Sequence, residues 1–317
     1  MPARVTILDD YQSVALSSAD WSGVAERYEI DVVTSHLEGD ELIERLASSE
    51  IVVAMRERTA FPASVLDRLP ALKLLVTTGM ANASIDVAAA RARGIVVSGT
   101  TGSGREVAEL TMGLLVALAR NVVAEDRSMH EGGWQHTIGT RLEGKTLGLV
   151  GLGKQGQWVA ELALAFRMHV VAWSPHLTPS RAAEFGVQAV SKQELFETSD
   201  FVSVHVPLTE SSRGLIGADD LALMKGTAYL VNTSRGPIVD AEALVMALMV
   251  DTLAGAALDV FDVEPLPAAD PLRSLSNVIL LPHIGYVVHD VYRDFYGQSV
   301  EDILAFESGA PIRELSA

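Results

Sequence analysis

The chain has 317 residues, 49% of them hydrophobic, with 25 glycines and 12 prolines; this describes a globular chain long enough for two domains and excludes a fibrous or disordered one. Its 41 acidic residues against 24 basic ones leave a formal net charge of −17 with histidines neutral, so neither nucleic acid nor an anionic membrane surface is an expected partner, and a small anionic substrate needs arginines of its own. No cysteine is present, which rules out disulfides, thiolate nucleophiles and cysteine-based metal sites.

MPARVTILDD carries neither the basic start nor the apolar core of a signal peptide. The longest apolar run, Met112 to Ala119, is far too short to span a bilayer, so a cytoplasmic location is expected. From there, short β-branched runs alternate with Ala/Leu-rich segments: RVTIL, IDVVT, IVVAM, LKLLV and IVVS, with the amphipathic stretches DELIERLAS, SVLDRL and DVAAARARG between them. This strand–helix–strand rhythm is that of parallel sheets covered on both faces, and the fold class is α/β. AMRERT places Arg56 and Arg58 just after one strand, where either a solvated pair or an aid to anion entry is expected.

SGTTGSG, residues 98–104, has the composition of a hinge, and the spacing of Val107, Leu110, Leu114, Leu115 and Leu118 predicts one long helix from Glu106 to about Met129. A domain boundary is expected there. After Trp134, in the glycine-rich GGWQHTIGTRLEG, a second strand set begins: TLGLVG, HVVAW, FVSVHV, TAYLVN, AALDV and NVILL.

The first of these strands runs into Gly151-Leu152-Gly153-Lys154-Gln155-Gly156 and then a helix. That is the context a dinucleotide fingerprint needs: a tight turn, close approach of backbone to pyrophosphate, and a helix N-terminus facing the phosphates. The carboxylate expected about twenty residues on is absent, and Ser174 stands in its place. A carboxylate there would hold the ribose of NAD and repel the 2′-phosphate of NADP; its absence leaves NAD or NADP open and leans the choice toward NADP, with His176 and Arg181 as nearby cations. Three later strands end in polar residues, with Arg235, with Asp259 and Glu264, and with His283. In a doubly wound sheet such ends converge on the ligand crevice. No histidine shows metal-ligand spacing, so no metal is expected.

Taken together, the fingerprint at 151–156, VHVPLT (204–209), NTSRG with Arg235, the ALDVF–EP segment (257–265) and LPHIG (281–285) resemble the D-2-hydroxyacid dehydrogenase family over essentially the whole length. The resemblance implies two doubly wound parallel-sheet domains, a Rossmann-type cofactor domain over 104–289 and a flavodoxin-like substrate domain made of 1–103 and 290–317, with the active site in the cleft. It implies that Arg235, Glu264 and His283 are catalytic and that Asp259 binds the nicotinamide amide. It adds His205, Val206, Pro207, Thr233, Ser234 and Gly285 to the cofactor site beside Gly151, Gly153, Lys154, Gln155, Gly156 and Ser174. For the substrate it implies a carboxylate cradle of backbone N–H groups at Thr78, Gly79 and Met80, with Arg56 nearby. It also implies a homodimer formed by the cofactor domains, in which Trp134 is expected to be buried.

The residue types suit the chemistry. Reducing a 2-oxo acid needs a hydride on the carbonyl carbon and a proton on its oxygen; His283 can give or take that proton, Glu264 can fix its tautomer, and Arg235 can hold a carboxylate with a planar fork. After LPHIG the family's usual small residues are replaced by Tyr286, Val287 and Val288, and Tyr286 is expected to line the pocket and shape the substrate side chain. Tyr292 and Tyr296 are expected to pack the last helix against a sheet. The expected activity is therefore an NAD(P)-dependent oxidoreductase acting on a small 2-hydroxy or 2-oxo acid. Alternatives are a dinucleotide-sensing, corepressor-like binding protein and a formate- or phosphite-type dehydrogenase, to both of which the fold is also similar.

Overall fold

A computed structural model of the chain describes residues 3–102 and 104–316. The chain divides into two compact units: a split unit, Met1–Ser103 with Val287–Ala317, and an inserted unit, Gly104–Tyr286. The split unit opens with β1 (Arg4–Ile7), α1 (Ala15–Ser18), α2 (Ser22–Ala25), β2 (Glu29–Val32), α3 (Gly39–Leu46), β3 (Ser49–Ala54), α4 (Ala63–Leu66), β4 (Leu74–Thr77), α5 (Val87–Ala92) and β5 (Val96–Gly99). Its five strands pair in parallel in the order β2-β1-β3-β4-β5. Chain direction across the sheet reverses between β1 and β3, the switch point of a flavodoxin-like sheet. α3 shows why the helices settle where they do: Leu42, Ile43 and Leu46 are buried, while Asp40 and Glu41 sit in the first turn and Arg45 in the last, each favourable to the helix dipole.

The inserted unit begins with α6 (Arg105–Ala119) and α7 (Val122–His130), then β6 (Thr146–Val150), α8 (Lys154–Ala165), β7 (His169–Trp173), α9 (Pro179–Ala183), β8 (Gln188–Ala189), α10 (Lys192–Thr198), β9 (Phe201–Val204), α11 (Ala218–Leu223), β10 (Tyr229–Asn232), α12 (Ala241–Met249), β11 (Gly255–Leu258) and β12 (Val278–Leu280). Seven parallel strands lie in the order β12-β11-β10-β9-β6-β7-β8, with the switch point between β6 and β9. Strand alternation sends side chains to opposite faces. Leu147, Leu149, Val231 and Ala257 join one core with α6 and α8, while Val150, Leu230, Ala256 and Leu258 join the other with α10, α11 and α12. Thr178, Ser191 and Asp240 start α9, α10 and α12 by accepting the N–H three residues on.

The chain then returns to the split unit as α13 (His289–Glu307), whose buried Val291, Tyr292, Phe295, Tyr296, Ser299, Val300 and Ile303 form one face. Tyr296 is fully buried, 5.8 Å from the Tyr292 ring and 6.3 Å from Trp21, and the helix packs against β4 and β5 as its aromatic spacing predicts. Beyond it, an extended tail pairs antiparallel with β5 through Ser98 and Glu314. Arg313 ties this tail to the helix, donating to buried Asp302 at 3.0 Å, to Glu301 at 2.9 Å and to the Gln298 carbonyl at 2.8 Å.

Five features depart from what the sequence suggests. The single helix from Glu106 to Met129 is two helices meeting at 64°, because Asn121 takes a left-handed backbone (φ 53°) and ends the run. The last helix stops at Glu307, and the tail from 310 is extended. The second sheet has an extra two-residue strand, β8, too short to leave a periodic pattern. β12 is a half-buried edge strand, since only β11 covers one side of it. The units separate between Tyr286 and Val287, three residues before the expected crossing, because the extended residues leading into α13 already belong to the split unit. Of the expected hinge, Ser103 lies outside the described residues; Ser98 and Gly99 are in β5, and Gly104, with φ 78°, precedes α6. No single helix among the described residues is long and apolar enough to cross a membrane.

Candidate active site

At the switch point of the inserted unit, β6 runs into the glycine turn. Gly151 has φ 104°, a conformation that side chains rarely adopt, and a β-carbon on it would stand 2.7 Å from the His205 carbonyl oxygen and 2.8 Å from Val206. A β-carbon on Gly156 would collide with the Gly151 carbonyl. Two of the three glycines thus let the turn close on β9 and on α8. The third differs: no protein atom lies within 4 Å of where a β-carbon on Gly153 would be. Gly153 caps the twelve-residue helix α8, so the open space lies at its N-terminus, where free N–H groups and the helix dipole favour a phosphate. The turn therefore fits the pyrophosphate of a dinucleotide.

Beneath the turn, His205 is buried and its Nε2 lies 2.8 Å from the Ser203 hydroxyl; burial pushes its pKa down to about 4, so the ring is neutral at ordinary pH. Ser234 Oγ donates to the Val206 carbonyl at 2.5 Å, tying the end of β10 to the end of β9, and Thr233 Oγ1 lies 2.9 Å from Thr111 on α6. Ser174 follows β7 with its carbonyl accepting from Leu177 N–H. The expected cations lie in local pairings: Arg181 with Glu184 at 3.5 Å and over the Phe185 ring, while His176 is exposed. Lys192, which sequence reasoning passed over, stands 5.8 Å from the Trp173 ring and bonds Asp220 at 2.8 Å.

The ends of β10, β11 and β12 come together. Gly236, next to Arg235, packs so closely on Phe261 and Asp262 that a β-carbon would collide with that backbone. Arg235 directs one guanidinium nitrogen to the Ser234 carbonyl at 2.7 Å, and its own carbonyl accepts from Asn232. Glu264 Oε1 accepts from Phe261 N–H at 2.9 Å, while Oε2 lies 2.6 Å from His283 Nδ1. The side chains of the pair are 16% and 29% exposed, for His283 and Glu264, so the hydrogen bond is shielded yet reachable. His283 itself has a left-handed backbone, φ 53°, uncommon for a non-glycine residue and the kind of local strain that surrounding structure must hold in place.

That holding is done in part by Asp259. Its two carboxylate oxygens accept from Ile284 N–H at 2.7 Å and Gly285 N–H at 2.8 Å, locking the two residues that follow His283. Burial pushes the Asp259 pKa up, opposed by these two donors and by the nearby His283. Gly285 has room for nothing larger without crowding Asp259 and Val107. On the other side, the Tyr286 ring meets the His283 ring edge to face, centroids 5.7 Å apart and planes at 77°.

The split unit gathers its own polar residues at the ends of β3 and β4. Arg56, also left-handed at φ 52°, donates its N–H to Thr78 Oγ1 at 2.9 Å and its guanidinium to the Thr78 carbonyl at 3.1 Å. The guanidinium lies on Gly79, where a β-carbon would collide with it. Gly79 N–H donates to Thr100 Oγ1 at 2.9 Å and Thr78 N–H to the Ala54 carbonyl at 3.0 Å, so two donors of the predicted cradle already have protein acceptors; Met80 beyond them is 45% exposed. Asn82, missed from sequence, holds the loop by donating to the Arg56 carbonyl and to Thr77. Arg58 goes elsewhere, donating to the Asp9 carbonyl and stacking on Tyr11 at 4.6 Å. Trp134 is 74% exposed on the single chain and packs into neither core.

The inserted unit, and the chain as a whole, are similar to known proteins. Residues 112–285 match the family model described as the NAD-binding domain of D-isomer specific 2-hydroxyacid dehydrogenases. The chain is 37% identical over 297 residues to a glyoxylate reductase of Korarchaeum cryptofilum, covering 91% of this chain and 89% of that one. It is 39% identical over 282 residues to a hydroxypyruvate reductase of Thermotoga maritima, covering 87% and 90%. A solved phosphoglycerate oxidoreductase from Vibrio cholerae superposes with a TM-score of 0.92 at 35% identity, covering 98% of this chain and all of that one. With a matching cofactor-binding segment, and relatives alike along nearly the full length of both chains, this chain belongs to the D-isomer-specific 2-hydroxyacid dehydrogenase family, oxidoreductases that pass a hydride between a nicotinamide dinucleotide and a small 2-hydroxy or 2-oxo acid.

Proposed function

We propose that this chain works as an NAD(P)-dependent 2-oxo acid reductase in which His283 moves the proton, Glu264 holds His283 and Arg235 holds the substrate. The observation that carries the reading is the Glu264 carboxylate, anchored by Phe261 N–H and 2.6 Å from His283 Nδ1. With Nδ1 engaged, the tautomer is set and Nε2 is the atom that meets the reacting oxygen. The dinucleotide supplies the hydride when bound. The chain's own part is to give the carbonyl oxygen its proton from Nε2, take one back in the oxidation direction, and steady the acid with the Arg235 fork. Arg56, with Thr78, Gly79 and Met80, is the second anchor for the carboxylate, which makes the split unit the substrate domain. Because Gly79 N–H is already donated to Thr100 and Thr78 N–H to Ala54, the Arg56 guanidinium is the stronger anion ligand of that group. The relatives' short acids, glyoxylate and hydroxypyruvate, are the first candidates as substrates.

Ser174 offers the ribose no carboxylate, so NADPH is accepted at least as readily as NADH, and Ser174→Asp shifts the preference to NADH. Trp134, Ile138 at 97% exposure and Met129 at 52% are exposed apolar side chains that a two-fold homodimer would cover, and light scattering should give twice the chain mass. A cytoplasmic location is part of this reading.

The test is turnover of a 2-oxo acid panel with both cofactors, in the parent and in His283→Ala. The variant should lose about 10²–10⁴-fold in kcat with dinucleotide affinity intact. Activity within about tenfold of the parent would remove His283 from the mechanism. No turnover by the parent with any acid, alongside tight dinucleotide binding, would favour the sensor reading instead.

A further inference from the structure

The geometry points to Tyr286 as the residue that sets the plane of the His283 ring, a positioning role exercised on every substrate, including one with no side chain. The inference rests on the reading that His283 moves the proton. A single hydrogen bond fixes a point on an imidazole, and the ring can still rock about that point. Glu264 supplies the point at Nδ1. Asp259 fixes the backbone that follows, through Ile284 and Gly285. What remains is the tilt of the ring, and with it the direction of Nε2.

Tyr286 is placed to remove that freedom. Its ring stands edge to face with the imidazole at 5.7 Å and 77°, an arrangement that aromatic rings favour because the positive edge of one meets the negative face of the other. It is only 7% exposed, so it cannot swing away, and it lies three residues from His283 on a backbone pinned in between by Asp259. Carboxylate on one side and aromatic ring on another together define point and plane. The need is sharpened by the left-handed backbone of His283, a conformation that local sequence does not favour and that neighbours must maintain.

A wall that only shaped the substrate side chain would behave differently. It would change KM and the ranking of acids by size, and it would leave glyoxylate, which has no side chain to touch, unaffected. A positioning residue lowers kcat for all acids alike. The experiment therefore compares Tyr286→Ala, Tyr286→Leu, Tyr286→Phe and His283→Ala, each assayed with glyoxylate and with a branched 2-oxo acid, together with dinucleotide affinity by fluorescence and melting temperature. Tyr286→Ala is expected to lose roughly ten- to hundredfold in kcat with both acids, with KM and dinucleotide affinity nearly unchanged, since misaimed reacting groups cost that much. Tyr286→Phe recovers most of the loss, because the ring and not the hydroxyl acts. Tyr286→Leu keeps the bulk of a side chain without an aromatic edge and stays slow, which carries the test if the alanine variant fails to fold. Full glyoxylate kcat in the alanine or leucine variant overturns the inference, as does a phenylalanine variant as slow as alanine. If His283→Ala itself retains activity, the underlying reading falls and takes this one with it.

Discussion

Each unit has a glycine turn at the end of a sheet strand, and the two are built in opposite ways. In the inserted unit, Gly153 faces space that no protein atom enters, at the start of a twelve-residue helix. In the split unit, the corresponding space over Gly79 is filled by the Arg56 guanidinium, and the Gly79 N–H is donated to Thr100. One turn offers bare backbone to a ligand; the other offers a side chain laid across backbone. The first suits a large, fixed group such as a pyrophosphate, which is the same in every turnover. The second suits a small anion that enters and leaves, met by a charged fork whose rotamers can adjust.

Three substitutions probe this contrast. The largest effect is expected from Gly153→Val, whose β-carbon stands in the open space at the start of α8. Dinucleotide affinity should fall about a hundredfold, near 2.8 kcal/mol, while the melting temperature stays put. A valine variant that binds the dinucleotide normally would show that the space is not where the phosphates lie. Arg56→Lys is next: the point charge survives but the planar fork is lost, so KM for the 2-oxo acid should rise about tenfold with dinucleotide affinity unchanged. A rise in the dinucleotide's KM instead would assign Arg56 to the wrong ligand. The smallest effect is that of Gly79→Ala. At φ 115° an alanine is strained by about 1 kcal/mol, and its methyl group displaces the flexible end of Arg56, so a melting point a few degrees lower should accompany a KM shift like that of Arg56→Lys. Unchanged KM in that variant would mean that Arg56 works from another position.

Much of this was readable beforehand, and the boundary of what was readable is physical. Strand and helix alternation is written in side-chain period, so the α/β architecture and most strands could be read directly. The fingerprint glycines are legible because sterics leave no substitute for them where backbone must meet backbone, as at Gly151 and Gly156. Arg235, Glu264 and His283 stood out as polar residues at the ends of apolar runs. The break at Asn121 was hidden because the residues on both sides favour a helix and one left-handed residue decides the matter. The double role of Asp259, one oxygen for each of two successive N–H groups, depends on β11 and β12 lying side by side, which no local pattern encodes. The laying of Arg56 over Gly79 likewise depends on β3 pairing with β4.

The clasp between Asp302 and Arg313 makes the C-terminal tail a proton-linked element. Asp302 is fully buried, and burial pushes its pKa up to about 7, an effect that the Arg313 guanidinium only partly opposes. Relative to the ordinary value of 3.8, the folded chain thus holds this proton more tightly than the unfolded chain does. Between those two values the folded state carries more protons, so the contribution of Asp302 is most favourable below about pH 4 and is lost as pH rises through about 7. Most carboxylates in folded proteins act the other way and fail in acid. Urea midpoints of the parent and of Asp302→Asn across pH 5 to 8 isolate the effect: their difference should drift in favour of the asparagine variant as pH rises, by up to a few kcal/mol. Mild acidification, which loosens many folds, would here favour the fold through Asp302, even as the carboxylate that clasps Arg313 gives up its charge.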